Sequence, residues 1–259
     1  MFTRLLVGLD GSPQADVALE QAVELGRRFQ ATIVVAHVRE GGSGKREGSA
    51  PPLPNGTTLL ERARVRVAAA ALAVESIERD GDPDLVLGEI AHDADAVLIG
   101  RRGVTTQGDT LGSTAAALVR TAERCVIVCA GVPSPMRACA VAFDGRATSL
   151  RALELAGRFA SVVGSTVHII HANAEREAGL RVVGVAEATL SLQGVPFVTH
   201  VEPGVPGAVV AAVVKRTRCD SLFAGAHIRR QGGGRPSPVV VSHAEQILLH
   251  TDIPVCIQP

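Results

Sequence analysis

Short apolar runs alternate with segments of helical periodicity along the chain. The runs "LLVGL" (5–9) and "TIVVAHV" (32–38) are almost continuously apolar and rich in β-branched residues, which is typical of strands buried on both faces. Between them, Ser12-Pro13 predicts a helix start with serine as N-cap and proline in the first helical position. The apolar residues that follow are spaced as one buried helix face requires: Ala15, Ala18, Ala22, Leu25 and Phe29.

The alternation continues to residue 130. Further strands are predicted for "LAVESI" (72–77), "DAVLIG" (95–100) and "CVIVCA" (125–130). The intervening segments predict helices around 58–70, 84–93 and 113–123. Strands separated by helices imply right-handed crossovers and a parallel sheet.

The second half of the chain repeats this pattern. "LLVGLDGSPQADVALEQAVELG", from Leu5, aligns without gaps with "CAVAFDGRATSLRALELAGRFA", from Cys139, at a constant offset of 134 residues. In this alignment His37 falls on His171. We interpret the chain as a tandem duplication that forms two open parallel five-stranded α/β sheets flanked by helices, of Rossmann type.

The expected domains are 1–131 and 137–259, with "GVPSPMR" (131–137) and its two prolines as the hinge. Within the first domain, the Gly/Pro/Ser-rich segment 41–58 is typical of a mobile loop. It is interpreted either as a tolerated insertion or as a lid or partner-docking loop.

Composition narrows the range of partners. The 26 basic and 26 acidic residues give zero formal net charge, and the chain has no Trp or Tyr. Nucleic acid is therefore not an expected partner, since neither a basic field nor stacking platforms are present. No run approaches the roughly 20 apolar residues of a membrane span, and neither a signal peptide nor a disulfide pattern is recognisable, so no membrane association and a cytoplasmic location are expected.

The stretch "GRRGVTTQGDTLGST" (100–114) has the composition of a phosphate-binding loop. If the first strand is central and the fourth is its neighbour, Asp10 and Gly100 emerge side by side at the carboxyl ends of the strands, where such folds bind ligands. Gly100 and Gly103 would allow close approach to phosphate, Gly112-Ser113 would lie at a helix N-terminus, and Val38 would offer its backbone to a purine. Asp10-Gly11 as a plain turn and Ser113 as a plain N-cap are the alternatives.

The motifs "VGLDGS", "VVAHV", "DAVLIGRRG", "GST" and "ALVRTAERCVIV", in this order, resemble the universal stress protein family, here as a tandem two-domain member. The resemblance covers essentially the whole chain and implies the adenine nucleotide α-hydrolase-like fold and an ATP site in the first copy. The loop has eight residues between Gly103 and Gly112 where the family pattern has nine, and Asp109 adds a negative charge that Arg101 or Arg102 would have to offset. By this resemblance the ATP site comprises Leu9, Asp10, Val38, Ile99, Gly100, Arg102, Gly103, Gly112, Ser113 and Thr114.

The second copy departs from that pattern. Gly225 is kept, but Ile228 replaces the second glycine and Val241-Ser242 replaces the Gly-Ser pair. Added Cβ atoms would crowd a bound phosphate, so this copy is interpreted as structural. The run "QGGGRP" (231–236) is either an alternative cradle or a plain flexible loop.

The residues offer little support for a P-loop, a metal site or a catalytic set. There is no GxxxxGK[ST] motif, and His168 and His171 lie on opposite faces of a strand. Cys125 and Cys129 are interpreted as core residues, and His37 and His171 as structural histidines. No metal site is expected, and Asp10 would meet Mg²⁺ only as part of bound Mg-ATP. No catalytic set is recognisable, so turnover is expected to be at most slow ATP hydrolysis.

These observations favour a cytoplasmic stress-response protein whose first domain binds ATP, with or without Mg²⁺, as a regulatory ligand. The alternative is a nucleotide-free interaction or scaffold protein. A third hypothesis is an enzyme of the adenine nucleotide α-hydrolase-like group, such as an adenylyl-transferring or flavin-binding relative. The two copies are expected to form an intrachain pseudo-dimer through "CVIVCA" and "VCIQ" (255–258). Whether two chains form a homodimer is left open.

Overall fold

The structure is a computed structural model that describes residues 1–40, 56–104, 106, 110–226 and 243–259. We call the part from β1 to β5 the first half and the part from β6 to β10 the second half. The elements of the first half are β1 (Arg4–Gly8), α1 (Pro13–Phe29), β2 (Thr32–Arg39), α2 (Gly56–Ala68), β3 (Val74–Asp80), α3 (Pro83–Ala91), β4 (Ala96–Gly100), α4 (Ser113–Thr121) and β5 (Cys125–Cys129). Those of the second half are β6 (Cys139–Ala142), α5 (Ala147–Val163), β7 (Val167–Ala172), α6 (Arg176–Leu192), β8 (Phe197–Glu202), α7 (Pro206–Thr217), β9 (Ser221–Gly225), α8 (His243–His250) and β10 (Val255–Gln258).

The two predicted five-stranded sheets are joined into one ten-stranded sheet of order β3-β2-β1-β4-β5-β10-β9-β6-β7-β8. Strand pairs within each half are parallel, and the pair β5–β10 between the halves is antiparallel. Ile127 lies opposite Cys256 at the centre of this pair. The α/β fold class and the predicted pairing of the two halves are confirmed, and among the described strands β3 and β8 lie at the two edges of the sheet.

Helices cover both faces of the sheet. One core cluster packs residues of α1, α2, α5 and α6 against the sheet, and the other packs residues of α3, α4, α7 and α8. Cys125 and Cys129 belong to the first cluster, as expected of core thiols, and burial raises the pKa of the Cys129 thiol. Phe29 of α1 and Phe159 of α5 meet at 5.7 Å between ring centroids, so the first cluster is continuous across the two halves.

Local sequence signals explain where helix α1 begins and ends. Ser12 Oγ accepts the N–H of Ala15 at 3.1 Å, and Pro13 stands in the first turn, as predicted. The helix ends at Gln30, which has a left-handed backbone with φ 54° and ψ 40°. At the corresponding end of α5, Gly164 adopts φ 68° and ψ 37°, a conformation that glycine reaches without Cβ strain.

Two predicted boundaries are wrong. Strand β3 was expected at 72–77 and runs from Val74 to Asp80; its last three residues, Glu78, Arg79 and Asp80, are polar because β3 is an edge strand. The segment 41–58 was expected to be loop throughout, but helix α2 begins at Gly56. Residues 41–55 lie outside the described residues.

The predicted hinge is held by hydrogen bonds to both halves. Gln21 of α1 donates to Ser134 O at 3.0 Å and accepts from Ser134 N at 2.8 Å. Ser134 Oγ donates to Asp220 O at 2.6 Å, and the Asp220 carboxylate accepts the N–H groups of Arg137 and Ala138. The connection is therefore a fixed element of the interface between the halves.

Among the described helices, none combines the length and apolar character that crossing a bilayer requires.

Candidate functional site

The topology brings the ends of three strands of the first half together. Strand β1 pairs with β2 on one side and with β4 on the other, so the loops after β1 and β4 meet at the carboxyl edge of the sheet, as the sequence predicted. A cavity of about 450 Å³ lies at this edge. All ten residues predicted for a nucleotide site line it: Leu9, Asp10, Val38, Ile99, Gly100, Arg102, Gly103, Gly112, Ser113 and Thr114.

The structure adds lining residues that the sequence had not indicated. They are Gly8, Ser12, Ala15, Ala36, His37, Glu40, Pro83, Leu87, Val104, Thr106 and Ala115. Most of them adjoin predicted positions and could have been found by extending each motif by a residue or two. Pro83 and Leu87 could not, because α3 reaches the cavity only through its packing on the sheet.

The β2 end of the cavity is largely apolar. Ala36, Leu87 and Ile99 are buried beneath it. Strand β2 runs beyond the end of β1, and its backbone alternates in direction: Ala36 O accepts from Leu9 N towards β1, and Arg39 O accepts from Gly81 N towards β3. By this alternation the N–H and C=O of Val38 face the β1 side, where β1 has already ended, and therefore face the cavity.

His37 has a defined partner at this end. Its Nδ1 lies 2.8 Å from Leu9 O, so the ring donates to that carbonyl. The aligned His171 makes the same 2.8 Å contact with Phe143 O. Both histidines therefore hold the turn that follows the first strand of their half, which confirms the structural interpretation.

The β4 end of the cavity is polar and is formed by the glycine loop and the start of α4. The first N–H groups of a helix have no carbonyl partner within it and carry the positive end of the helix dipole. Ser113, Thr114 and Ala115 form the first turn of α4 and line the cavity. This end can therefore accept the oxygen atoms of an anion.

Backbone N–H groups of the glycine loop are engaged within the protein. Arg102 N donates to Gln14 Oε1 at 2.7 Å, Val104 N to Asp10 Oδ2 at 3.1 Å, and Gly112 N to Arg101 O at 2.9 Å. Among the described residues of the loop, these three N–H groups therefore already have acceptors within the protein. The first turn of α4 offers further N–H donors to an anion at this end.

Gly100 and Gly103 of the loop have different surroundings. A Cβ on Gly103 would lie 2.7 Å from Asp10 Oδ2, inside the site. A Cβ on Gly100 would lie 2.8 Å from Gln14 Cβ, and one on the aligned Gly225 would lie 2.5 Å from Ser149 N. Gly100 and Gly225 therefore each let the end of their strand pack on the first turn of the first helix of their half, α1 or α5, and Gly100 also lines the cavity.

Asp10 orders two segments at once. Its Oδ1 accepts the N–H of Ser12 at 2.9 Å, which is the turn role proposed as an alternative, and its Oδ2 accepts the N–H of Val104. Asp144 repeats the turn contact with Arg146 N at 3.0 Å. The turn role is common to both halves, whereas the contact with Val104 joins the loops around the cavity.

Arg101 does not line the cavity, and Asp109 lies outside the described residues. The Arg101 side chain is 10% exposed and donates to Leu248 O and Thr251 O at the end of α8. Its charge is therefore directed to the second half. Arg102 does line the cavity.

The corresponding loop of the second half is largely beyond the described residues. Ile228, Val241, Ser242 and the run 231–236 fall in the range 227–242, so the alternative cradle is not tested. Gly225 and Ala226 are described, and Ala226 is buried.

A histidine pair that sequence reasoning missed lies on β7 and β8. His168 Nδ1 and His200 Nε2 are 3.0 Å apart, with ring planes 20° from parallel and centroids 5.3 Å apart. The centroid distance nearly equals the N–N distance plus the two ring radii, so the rings share one in-plane hydrogen bond. Loss of hydration lowers the pKa of both rings. Within the described ranges, no group of three or more His, Cys, Asp or Glu side chains is placed to hold a metal ion.

Comparisons with known proteins agree on the fold. The model of the universal stress protein family matches residues 1–130 and 136–259. A universal stress protein from Archaeoglobus fulgidus DSM 4304 is 18% identical, with a TM-score of 0.74 over 98% of this chain and 97% of its own. A protein of unknown function from Pseudomonas aeruginosa PAO1 is 14% identical, with a TM-score of 0.70 over 99% of this chain and 92% of its own.

A universal stress protein solved in complex with cAMP is 25% identical over 49% of this chain and 95% of its own, with a TM-score of 0.39. A comparison with curated proteins gave no match.

Proposed function

The chain belongs to the universal stress protein family, and on this premise we propose that its first half binds ATP as a regulatory ligand, without efficient turnover. The observation that carries the proposal is the cavity at the ends of β1, β2 and β4, with an apolar end at β2 and a helix N-terminus at α4. Its volume of about 450 Å³ lies in the range of roughly 300–1,000 Å³ typical of small-molecule sites.

The two ends of the cavity suit the two ends of a nucleotide. The adenine would lie at β2 among Ala36, Leu87 and Ile99, where the backbone of Val38 can hydrogen-bond a purine edge. The phosphates would lie at the first turn of α4, where N–H groups and the helix dipole favour negative charge. Arg102, which lines the same end, adds a fixed positive charge.

Mg²⁺ would enter only with the nucleotide. Asp10 and Glu40 are the carboxylates among the described lining residues. Both oxygens of Asp10 already accept backbone N–H groups, so a metal would meet this side chain through water held by the phosphates.

The same contacts argue against efficient hydrolysis. A general base needs a free carboxylate within reach of the attacking water. Asp10 is held by Ser12 and Val104, and Glu40 lies at the β2 end, away from α4. Regulatory binding is therefore proposed ahead of an ATPase activity.

The test is a calorimetric titration of the full chain with ATP, with and without Mg²⁺. Saturable binding is expected for the wild type. Gly103→Ala puts a Cβ 2.7 Å from Asp10 Oδ2, so the loop must shift and affinity should fall about tenfold, or about 1.4 kcal/mol. Gly184→Ala is the matched control, because a Cβ at that position in α6 meets no atom within 4 Å among the described residues.

Absence of binding up to millimolar ATP would refute the proposal and favour the nucleotide-free interaction protein. Equal affinity of the Gly103→Ala variant would show that ATP binds elsewhere. Analysis of the products after long incubation with ATP tests whether the protein is an enzyme. Rapid release of ADP or AMP would contradict the assignment of ATP as a regulatory ligand. A thermal melt of each variant verifies that it is folded.

A further inference from the structure

Arg101 belongs to the loop of the candidate site through its backbone. It stands between Gly100 and Arg102, which both line the cavity. Its N–H donates to Cys129 O at 2.9 Å, and its carbonyl accepts from Gly112 N at 2.9 Å. The Arg101 backbone therefore ties the end of β4 to β5 and to the start of α4.

The Arg101 side chain belongs to the second half. Nη1 donates to Leu248 O at 2.9 Å and to Thr251 O at 2.8 Å, and Nη2 lies 3.2 Å from Asp252 Oδ1. The last carbonyls of a helix have no partner within it and carry the negative end of its dipole. The guanidinium thus satisfies the C-terminal end of α8 from the opposite half of the molecule.

The residue equivalent to Arg101 in the second half does not repeat this contact. Gly100 and Gly225 both end their strand and both pack on the start of the first helix of their half, α1 or α5, so the residues that follow them, Arg101 and Ala226, are equivalent. A buried alanine cannot reach the corresponding end of α4. The half that carries the cavity therefore holds a helix end of the other half through Arg101, and its equivalent Ala226 cannot make the same contact because of its residue type.

We propose that Arg101 is a positioning residue that couples nucleotide occupancy of the first half to the C-terminal end of α8 in the second half; this inference rests on the proposed function. A nucleotide at the start of α4 fixes Gly112 and, through it, the Arg101 backbone. A fixed backbone restricts the guanidinium, which in turn holds residues 248–252. Coupling of this kind is reciprocal, so the state of α8 also sets the affinity of the cavity.

The coupling assigns a role to the second half. The C-terminal end of α8 holds the Arg101 side chain and, through it, the loop of the first half. Occupancy of the cavity would in turn affect the end of α8, which is followed in the chain by β10. Both halves are joined at β10 through its pairing with β5. A change at the end of α8 therefore reaches the central strands of the sheet.

The test is hydrogen exchange on peptides covering 247–253, measured with and without saturating ATP, together with ATP affinity. In the wild type, ATP should slow exchange in these peptides. In Arg101→Met the slowing should vanish, and affinity should fall about fivefold or more, the lower limit of typical allosteric coupling. A structural role alone would change exchange equally with and without ATP.

Arg120→Met is the matched control. Arg120 Nη1 contacts Glu245 Oε1 at 2.8 Å, so this pair also joins the halves at α8, but it does not pass through the glycine loop. Its loss should leave the ATP-dependent slowing intact. If Arg101→Met does not fold, Asp252→Ala takes its place. The Asp252 side chain is 84% exposed, and its removal takes away one partner of Arg101, so the slowing of exchange by ATP should be smaller.

The outcomes separate the two proposals. If the wild type binds no ATP, the proposed function fails and with it the coupling. If ATP binds and exchange at 247–253 is unchanged, the nucleotide site stands and the coupling is wrong. The coupling is also overturned if Arg101→Met, or Asp252→Ala in its place, responds to ATP as the wild type does.

Discussion

The backbone N–H of Val104 donates to Asp10 Oδ2 at 3.1 Å, which joins the loop after β4 to the loop after β1. The other oxygen of the same carboxylate accepts from Ser12 N. A single side chain therefore sets the distance between the two loops that border the cavity. Its position also limits Gly103 to a residue without a Cβ.

Asp10→Asn should release the glycine loop. The two N–H groups bond different oxygens of Asp10, and asparagine replaces one of these oxygens with an NH2 donor, so one N–H group loses its acceptor. We expect a loss of about 1 kcal/mol in the free energy of unfolding, the usual net value of a hydrogen bond, and faster exchange of the Val104 amide. Urea unfolding and hydrogen exchange measure these effects. Unchanged exchange at Val104 would contradict the assignment.

Gly100→Ala and Gly225→Ala should destabilise the protein to a similar extent. Their added Cβ atoms would lie 2.8 Å from Gln14 Cβ and 2.5 Å from Ser149 N. Such overpacking costs about 1–3 kcal/mol in urea unfolding. As the control, Gly184→Ala in the interior of α6 should gain roughly 0.5–1 kcal/mol. A loss confined to Gly100→Ala would mean that the two glycines are not equivalent packing residues.

Gln30→Gly and Gly164→Ala should change stability in opposite directions. Both positions have a left-handed backbone, with φ 54° at Gln30 and φ 68° at Gly164. A side chain in this conformation costs roughly 1–2 kcal/mol, partly offset by the freedom that glycine gains on unfolding. We therefore expect Gln30→Gly to gain up to about 1 kcal/mol and Gly164→Ala to lose about 1 kcal/mol. Paired denaturation curves test this, and a loss in both variants would be inconsistent with it.

The His168–His200 pair should make stability depend on pH. The pKa of each ring is lowered from 6.5, chiefly by loss of hydration. As the pH falls below 6.5, the folded state therefore binds fewer protons than the unfolded state. The contribution of the pair to the free energy of unfolding is complete above pH 6.5 and is lost as the pH falls towards and through the lowered pKa values of the folded state. Nearby Arg216 lowers the pKa of His200 further, and Glu202 opposes it.

His200→Gln removes one titrating ring and keeps hydrogen-bonding capacity. Urea unfolding between pH 7.5 and 5 should show a smaller loss of stability in this variant than in the wild type. Replacement of His250, which bonds Gln246 O at 2.6 Å and is exposed, serves as the comparison. A wild-type profile as flat as that of His200→Gln would refute the role of the pair.

The sequence by itself determined the repeated α/β architecture, because apolar runs and helical spacing record which faces are buried, and burial dominates folding. It also determined which strand ends carry polar and glycine residues, so all ten predicted site positions lie around one cavity. The N-cap at Ser12 and the core assignment of Cys125 and Cys129 followed from equally local rules.

Only the tertiary structure decided what those residues contact. The packing of Gly100 on Gln14 depends on how closely a helix approaches a strand, and no local pattern records that distance. The partners of Arg101 and His168 lie 147 and 32 residues away, beyond the range of any periodicity. Sequence periodicity reports burial along one element, whereas hydrogen-bond partners depend on the orientation of elements that meet only after the chain has folded.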